Sequence, residues 1–314
     1  MKPSKCKCVI TNRQNQRYDI VGPNRFNDQE IGGEKTQMEK KPNVKILVAT
    51  HKKTRMPEDE IYLPIHVGAE GKLDENGQPL EFGIQKDNSG ENISARNWCF
   101  GTQTALYWAW KNLQADYTGL VHYRRYFMNR SPKKNEDLFD CILTGEQLYP
   151  LLKQYRVIVP EKRHYYIETV YSHYSHTMNG GKEQLDLTRA IIAEKTPEYL
   201  HAFERVMNSR SAYIFNMMIL EKPLFDRYCS WLFEILFELF DRFDTTDMDD
   251  FDRRYAGRVS ERLFNVWLSH CIETEELRQS DIKELPYTEN VNWPRKISGF
   301  IQAKLFKKKY GSSF

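Results

Sequence analysis

The chain has 314 residues, of which 13% are aromatic and 28% charged, the composition of a folded protein with a wet surface rather than a disordered one. Its 46 basic and 43 acidic side chains leave a net charge of only +3, too little for the broad basic face of a general nucleic-acid binder. The six cysteines are scattered and read as free thiols, and no apolar run has signal-peptide or membrane-spanning length, so the expected location is the cytoplasm.

Residues 1–43 are polar and mixed in charge, and read as a loosely ordered extension before a main domain over 44–296. Val44-Lys-Ile-Leu-Val-Ala-Thr-His51 has the pattern of a buried strand. It ends in polar residues, and ligands of open α/β sheets sit at such carboxyl ends, which makes Thr50 and His51 candidates for contact with a base or phosphate. A second strand is expected over 62–68, with Pro64 placing it at an edge or near a strand start. The polar cluster Asp87-Asn-Ser-Gly-Glu-Asn-Ile-Ser94 suits a cap, Asn92 or Ser94, for a helix over 96–113 whose Tyr107, Trp108 and Trp110 belong mostly to the core.

The most informative stretch follows: Tyr117-Thr-Gly-Leu-Val-His-Tyr-Arg-Arg-Tyr-Phe127 delivers His122, Tyr123, Arg124 and Arg125 to the end of a strand-like run. Two permanently charged planar forks suit phosphate oxygens, and tyrosines can stack on a base or sugar and still donate a hydrogen bond. The structural alternative is one arginine in an ion pair and tyrosines in the core. Beyond it, a helix begun by Thr144 and a strand at 156–160 continue the alternation of a mainly parallel sheet. From Thr169 on the pattern is helical, with segments at 181–195, 197–208, 224–243 and 260–271, and an apolar run at 213–220 interrupted by Asn216.

Walker, dinucleotide-binding and serine-elbow motifs are absent from the sequence. A metal-held diphosphate would need Asp-x-Asp after an apolar strand. The formal matches, Asp247-Met-Asp249 and Asp250-Phe-Asp252, lie in an acidic segment without a preceding strand and read as a solvated loop, so no metal ligand is assigned and manganese or magnesium stays an open cofactor question. Arg124 and Arg125 could neutralise a diphosphate by fixed charge instead. His173 and His176 fall three apart, on one face of a helix, and favour hydroxyl or phosphate contacts over zinc, while Glu261 is either a general base or a helical ion-pair partner. The end, 297–314, mixes Phe300, Ile301, Leu305 and Phe306 with four lysines, a composition suited to an anionic membrane surface or to a solvated terminus.

Taken in combination, Lys45-Ile-Leu-Val-Ala-Thr-His-Lys52, Tyr62-Leu-Pro-Ile-His-Val-Gly68, Tyr107-Trp-Ala-Trp110, His122-Tyr-Arg-Arg-Tyr126, Ser172-His-Tyr-Ser-His176 and Phe215-Asn-Met217 resemble a bacterial glycosyltransferase family. It is the domain-of-unknown-function family of capsule, exopolysaccharide and O-antigen clusters, some members of which transfer galactofuranose. The resemblance runs over about residues 44–270 and departs from the usual form at Met178. It implies a GT-A-like α/β fold, with a mainly parallel central sheet flanked by helices and a largely helical C-terminal half. It further implies transfer of a sugar, galactose in furanose or pyranose form, from a UDP-sugar donor to a lipid-linked saccharide acceptor. On this view Thr50 and His51 contact the nucleoside, and Asp87, Asn88, Asn92 and Ser94 line the donor pocket. His122, Arg124 and Arg125 hold the diphosphate, Tyr123 belongs to the donor site, His173, His176 and Asn216 meet sugar or acceptor hydroxyls, and Glu261 is the base. A non-catalytic nucleotide- or carbohydrate-binding subunit is the competing class.

Overall fold

The computed structural model of the chain describes residues 41–133 and 135–289. The basic segment at 297–314, the Cys6/Cys8 pair and most of the N-terminal extension lie outside those residues.

In chain order the first half runs β1 (Val44–Thr50), β2 (Tyr62–His66), β3 (Gln85–Lys86), α1 (Asn97–Phe100), α2 (Gln103–Asn112), β4 (Tyr117–His122), β5 (Arg125–Phe127), α3 (Gly145–Leu152), β6 (Val157–Pro160) and β7 (Arg163–His164). The second half runs α4 (Val170–Thr177), α5 (Gly181–Lys195), α6 (Leu200–Asn208), β8 (Ser211–Ala212), β9 (Met218–Glu221), α7 (Lys222–Arg242), α8 (Tyr255–Glu273), β10 (Ile282–Leu285) and β11 (Tyr287–Glu289). The main sheet has the order β10-β6-β9-β4-β1-β2-β3, with β5 and β11 added beyond β4. Its direction is mainly parallel, because only β9 runs against its neighbours β4 and β6 on that path. Helices flank the sheet, and the C-terminal part is helical.

β1 explains why the sheet is covered on both faces. Lys45 is its single half-buried residue, and the rest are buried. With side chains alternating across the pleat, Leu47 and Ala49 enter the larger core with α2, α5, α6, α7 and α8, while Val44, Ile46 and Val48 enter a smaller core with α3 and the β5 region. Pro64 pairs with Val48 at a level where β3, which reaches only Ile65 and His66, leaves the outer side of β2 open, so its missing N–H costs no ladder bond.

The expected single helix over 96–113 is two helices. Gly101 adopts φ +56° and ψ −130°, outside the right-handed region, and the Asn97 amide donates to the Gly101 carbonyl at 2.8 Å, closing α1 before α2 starts. The last helix starts five residues earlier than the 260–271 span expected from sequence. The apolar run at 213–220 divides into a turn and β9, and β10 and β11, which complete the sheet, were not apparent from hydrophobic patterning.

Gly119 sits mid-strand where β4 meets β1 and β9. A Cβ there would lie 2.9 Å from both Ile219 Cγ1 and the Met218 carbonyl oxygen. The expected outcome for Gly119→Ala is a loss of about 2 kcal/mol in stability, read as a lower urea midpoint with an unchanged denaturant slope.

Candidate functional site

β4 and β5 form a hairpin whose connection is just Tyr123 and Arg124, with His122 paired to Arg125. The hairpin therefore holds four reactive side chains at the carboxyl end of a central strand, next to the end of β1. The Tyr123 ring is its hub. His51 meets it edge-on at 5.4 Å, His122 lies tilted at 4.4 Å, and Lys52 Nζ and the Arg124 guanidinium each stand 5.3 Å from its centroid. The Arg125 guanidinium stands 4.0 Å from the Phe215 ring centroid.

Charge at this point is one-sided. Burial, followed by Arg125, Arg124, His51 and Arg254, pushes the His122 imidazole down to about 3. His51 is lowered as well, first by burial and then by Arg254, Lys52 and Arg124. Among the described residues neither Lys52, Arg124 nor Arg254 has a carboxylate within ion-pair distance. His122 Nδ1 and Arg124 Nε are buried without a hydrogen-bond partner. Cationic side chains gathered here with no carboxylate beside Lys52, Arg124 or Arg254 among the described residues are an arrangement that suits an anion.

Arg254 links the hairpin to a cleft of about 390 Å³ lined by Gly68, Glu70, Lys72, Ser94, Asn97, Trp98 and Arg253, among others. Arg254 is also the residue from which α8 starts, so the positive end of a 19-residue helix adds to the cationic wall. Trp98 is exposed for so large a ring and offers a flat apolar face to the cleft, backed by Phe240 at 5.7 Å. Arg253, Arg254 and Trp98 were missed in the sequence. The arginine pair directly follows the acidic run 241–252, which drew attention as a metal candidate, and Trp98 was absorbed into a helix taken as continuous.

Several of the expected contacts are engaged in hydrogen bonds within the fold. Asp87 is fully buried and accepts hydrogen bonds from Gly68 N (2.8 Å), Ala69 N (3.1 Å), Thr104 Oγ1 (2.6 Å) and Ser94 Oγ, so it shapes the cleft from behind and does not line it. Ser94 reaches the cleft wall, yet is buried and spent on Asp87 and Glu70 N. Asn92 accepts Ser94 N in a local turn, and Asn88 donates to Glu70. Thr50 is buried, its hydroxyl closing a turn onto the Lys52 carbonyl and amide. Of the pair at the β1 end, only His51 is open to a ligand.

Asn216 is likewise engaged within the fold. Phe215 and Asn216 both have left-handed backbones, φ 70° and 54°, costly for a phenylalanine in particular. Asn216 holds the turn by donating to the Gly257 carbonyl and accepting from Ser260, and Phe215 is thereby presented to Arg125.

His173 and His176 do share a face of α4, and both Nδ1 atoms meet Glu168, at 2.9 and 3.2 Å. Glu261 pairs with the neighbouring Arg262 at 3.1 Å, and Arg262, whose guanidinium stacks 4.6 Å from the Tyr174 ring, also acts electrostatically on His173. These groups form a second cluster, apart from the hairpin. Arg254, Arg258 and Arg262 recur every turn of α8, so the two clusters are separated by about 12 Å along its axis. In the acidic segment Asp249 caps the turn before α8 and Asp252 is buried against Asn179 and Arg258, and among the described residues no three His, Cys, Asp or Glu lie together as a group that could hold a metal ion.

A profile of the domain of unknown function DUF4422 matches residues 45–273. Among solved structures, the apo WbbM bifunctional glycosyltransferase is similar, with 29% identity and a TM-score of 0.69 over 80% of this chain. The chain spans 46% of the length of that protein. Comparison with curated proteins gives no match.

His122 also sets an acid sensitivity. Its folded value is depressed to about 3 from 6.5, so between those pH values unfolding takes up a proton and stability falls as pH falls; above 6.5 the residue contributes no pH dependence. In His122→Asn the acid limb of unfolding free energy against pH should be shallower by up to about 1.4 kcal/mol per pH unit. Urea titrations at a series of pH values between those limits measure it.

Proposed function

The chain belongs to the DUF4422 family, and from that premise we propose that it is a glycosyltransferase acting on a nucleoside-diphosphate sugar. The observation that carries the reading is the cation cluster at the β4–β5 hairpin, where Arg124 and Arg254 act on both His122 and His51, and Lys52 acts on His51, without a carboxylate partner for these three cations among the described residues. A diphosphate is the anion whose size and charge suit several guanidinium groups. The neighbouring cleft, with Trp98 as a flat apolar wall and Glu70 and Asn97 as hydroxyl partners, is proposed to take the donor's sugar or base. The similarity to WbbM supports transferase chemistry on this fold, and a GT-A-like arrangement is part of the proposal.

In the proposed reaction the bond from the anomeric carbon to the diphosphate oxygen breaks, and the charge left on that oxygen is stabilised by Arg124, Arg125 and Arg254. An acceptor hydroxyl oxygen forms the new bond and gives up its proton. His173, held at Nδ1 by Glu168 and kept below its ordinary value by burial, is the acceptor-side group best placed to receive it, with His176 as a hydroxyl contact. Glu261, engaged with Arg262, is proposed to orient this cluster rather than act as the base. Fixed arginine charge takes the part that a metal would play, and the donor set of the acidic segment does not fit a metal.

The finer proposal is UDP as the nucleotide, galactose as the sugar and a lipid-linked saccharide of a capsule, exopolysaccharide or O-antigen as acceptor, worked upon at the cytoplasmic side of the membrane by a domain spanning 44–296. Among the described residues no helix is long and apolar enough to cross a membrane.

Arg124→Ala and Arg254→Ala should each weaken UDP binding by about tenfold or more while leaving uridine binding nearly unchanged, as read by calorimetric titration. Wild-type UDP affinity in both folded variants would refute the assignment. Release of free sugar from a panel of UDP-sugars separates a transferase, which leaks donor to water, from a binding subunit, which does not. Asp247→Asn with Asp249→Asn, and chelation, should leave turnover intact; a loss restored by manganese would return the metal to the site.

A further inference from the structure

The turn at residues 165–168 breaks the usual rule for exposed turns. The Glu168 amide donates to the Tyr165 carbonyl at 3.3 Å, leaving Tyr166 and Ile167 at the tip. Tips normally carry Gly, Asn or Asp, above all where the backbone is left-handed. Here Tyr166 has φ 58°, and Tyr166 and Ile167 are 80% and 76% exposed, the two most exposed large apolar side chains among the described residues. Nothing about the turn is loose. Tyr165 is buried against His173 at 4.6 Å and donates its amide to the Arg210 carbonyl at 2.8 Å, and Val170 N bonds the Ser209 carbonyl. An anchored base thus carries a strained turn that holds two apolar groups outward.

The flanks are cationic. Lys162 and Arg163 lead into the turn along β7, and Arg210 lies just before β8, which pairs with β7. All three are exposed and, among the described residues, have no ion-pair partner, while Glu161 is the exposed carboxylate at the root of the strand.

We propose that this turn docks the protein on an anionic phospholipid surface, with Tyr166 and Ile167 entering the headgroup boundary and Lys162, Arg163 and Arg210 facing lipid phosphates. A two-residue convex tip is too small for a stable protein interface, which buries about 800 Å² per partner, but it matches an interfacial anchor with a basic collar. Each such cation near the surface strengthens partitioning about fivefold. If the proposed function holds, docking also brings the Glu168–His173–His176 cluster, which starts at the last residue of the turn, to the plane where a lipid-linked acceptor lies; the docking itself does not depend on that reading.

The test uses the full chain, co-sedimented with vesicles of phosphatidylcholine alone or mixed equally with phosphatidylglycerol. Wild type should partition at least about tenfold more strongly into the anionic vesicles. Tyr166→Asn with Ile167→Ser should lower that partitioning about tenfold or more without lowering the unfolding midpoint, and Lys162→Glu with Arg163→Glu should abolish the lipid preference. In Tyr166→Trp, emission from the added indole should move to the blue when anionic vesicles are added. Undiminished binding by the double variants would assign adsorption to another part of the chain, such as the basic segment 297–314, and overturn the proposal. Absence of wild-type binding, or no spectral shift, would also overturn it. Self-association in lipid-free solution that the Tyr166→Asn, Ile167→Ser variant abolishes would assign the turn to a second copy of the chain instead.

Discussion

A carboxylate with no access to water survives only where other donors replace the lost solvation. Asp87 meets that condition with two backbone amides and two hydroxyls drawn from the end of β2, the turn before α1 and the first turn of α2. The charge fixes where Gly68 and Ala69 run, and Gly68 in turn lies so near Asn97 that a Cβ would come within 2.6 Å of it. One wall of the cleft is therefore set by a residue that does not line it. Hydrogen bonds to an ionised group are individually stronger than neutral ones, and a shared acceptor makes the set rise or fall together.

The opposite wall has its own fixture. At Gly257, α8 approaches α1 so closely that an added Cβ would sit 2.7 Å from the Phe100 carbonyl oxygen. The same Gly257 carbonyl receives the Asn216 amide, which holds the left-handed Phe215–Asn216 pair. Strain in that pair is sustained by the surrounding contacts and is used to set a ring beneath Arg125. Helix, turn and hairpin are thus coupled through one glycine, and the cationic cluster inherits its shape from parts of the chain more than a hundred residues apart.

Much of this was legible in the sequence, for physical reasons. β1 and β4 are continuous apolar runs because parallel strands are covered on both faces, and α7 and α8 show the 3.6-residue period of helices with one buried side. His122, Arg124 and Arg125 stood out because charged residues at a strand end have few structural uses. Local hydrogen bonding was not legible. Asp87, Ser94, Thr50 and Asn216 look like ligand-facing polar residues until their partners are seen, since a sequence shows a side chain's capacity to bond but not where that capacity is spent. Arg254 escaped for the converse reason: its role arises only from long-range proximity to His51 and His122.

The shortness of the β4–β5 connection has a consequence for how this protein can change. With only Tyr123 and Arg124 between the paired His122 and Arg125, inserting or deleting one residue would turn every later side chain of β5 to the opposite face of the sheet. Arg125 would leave Phe215, and Tyr126 and Phe127, both buried, would each be turned out of its present packing. The loop carrying Gly71, Gly77 and Gly83, each with open space where a Cβ would stand, has no such constraint. Length variation among descendants of this chain can accumulate in that loop, whereas the hairpin can diverge only by substitution in place.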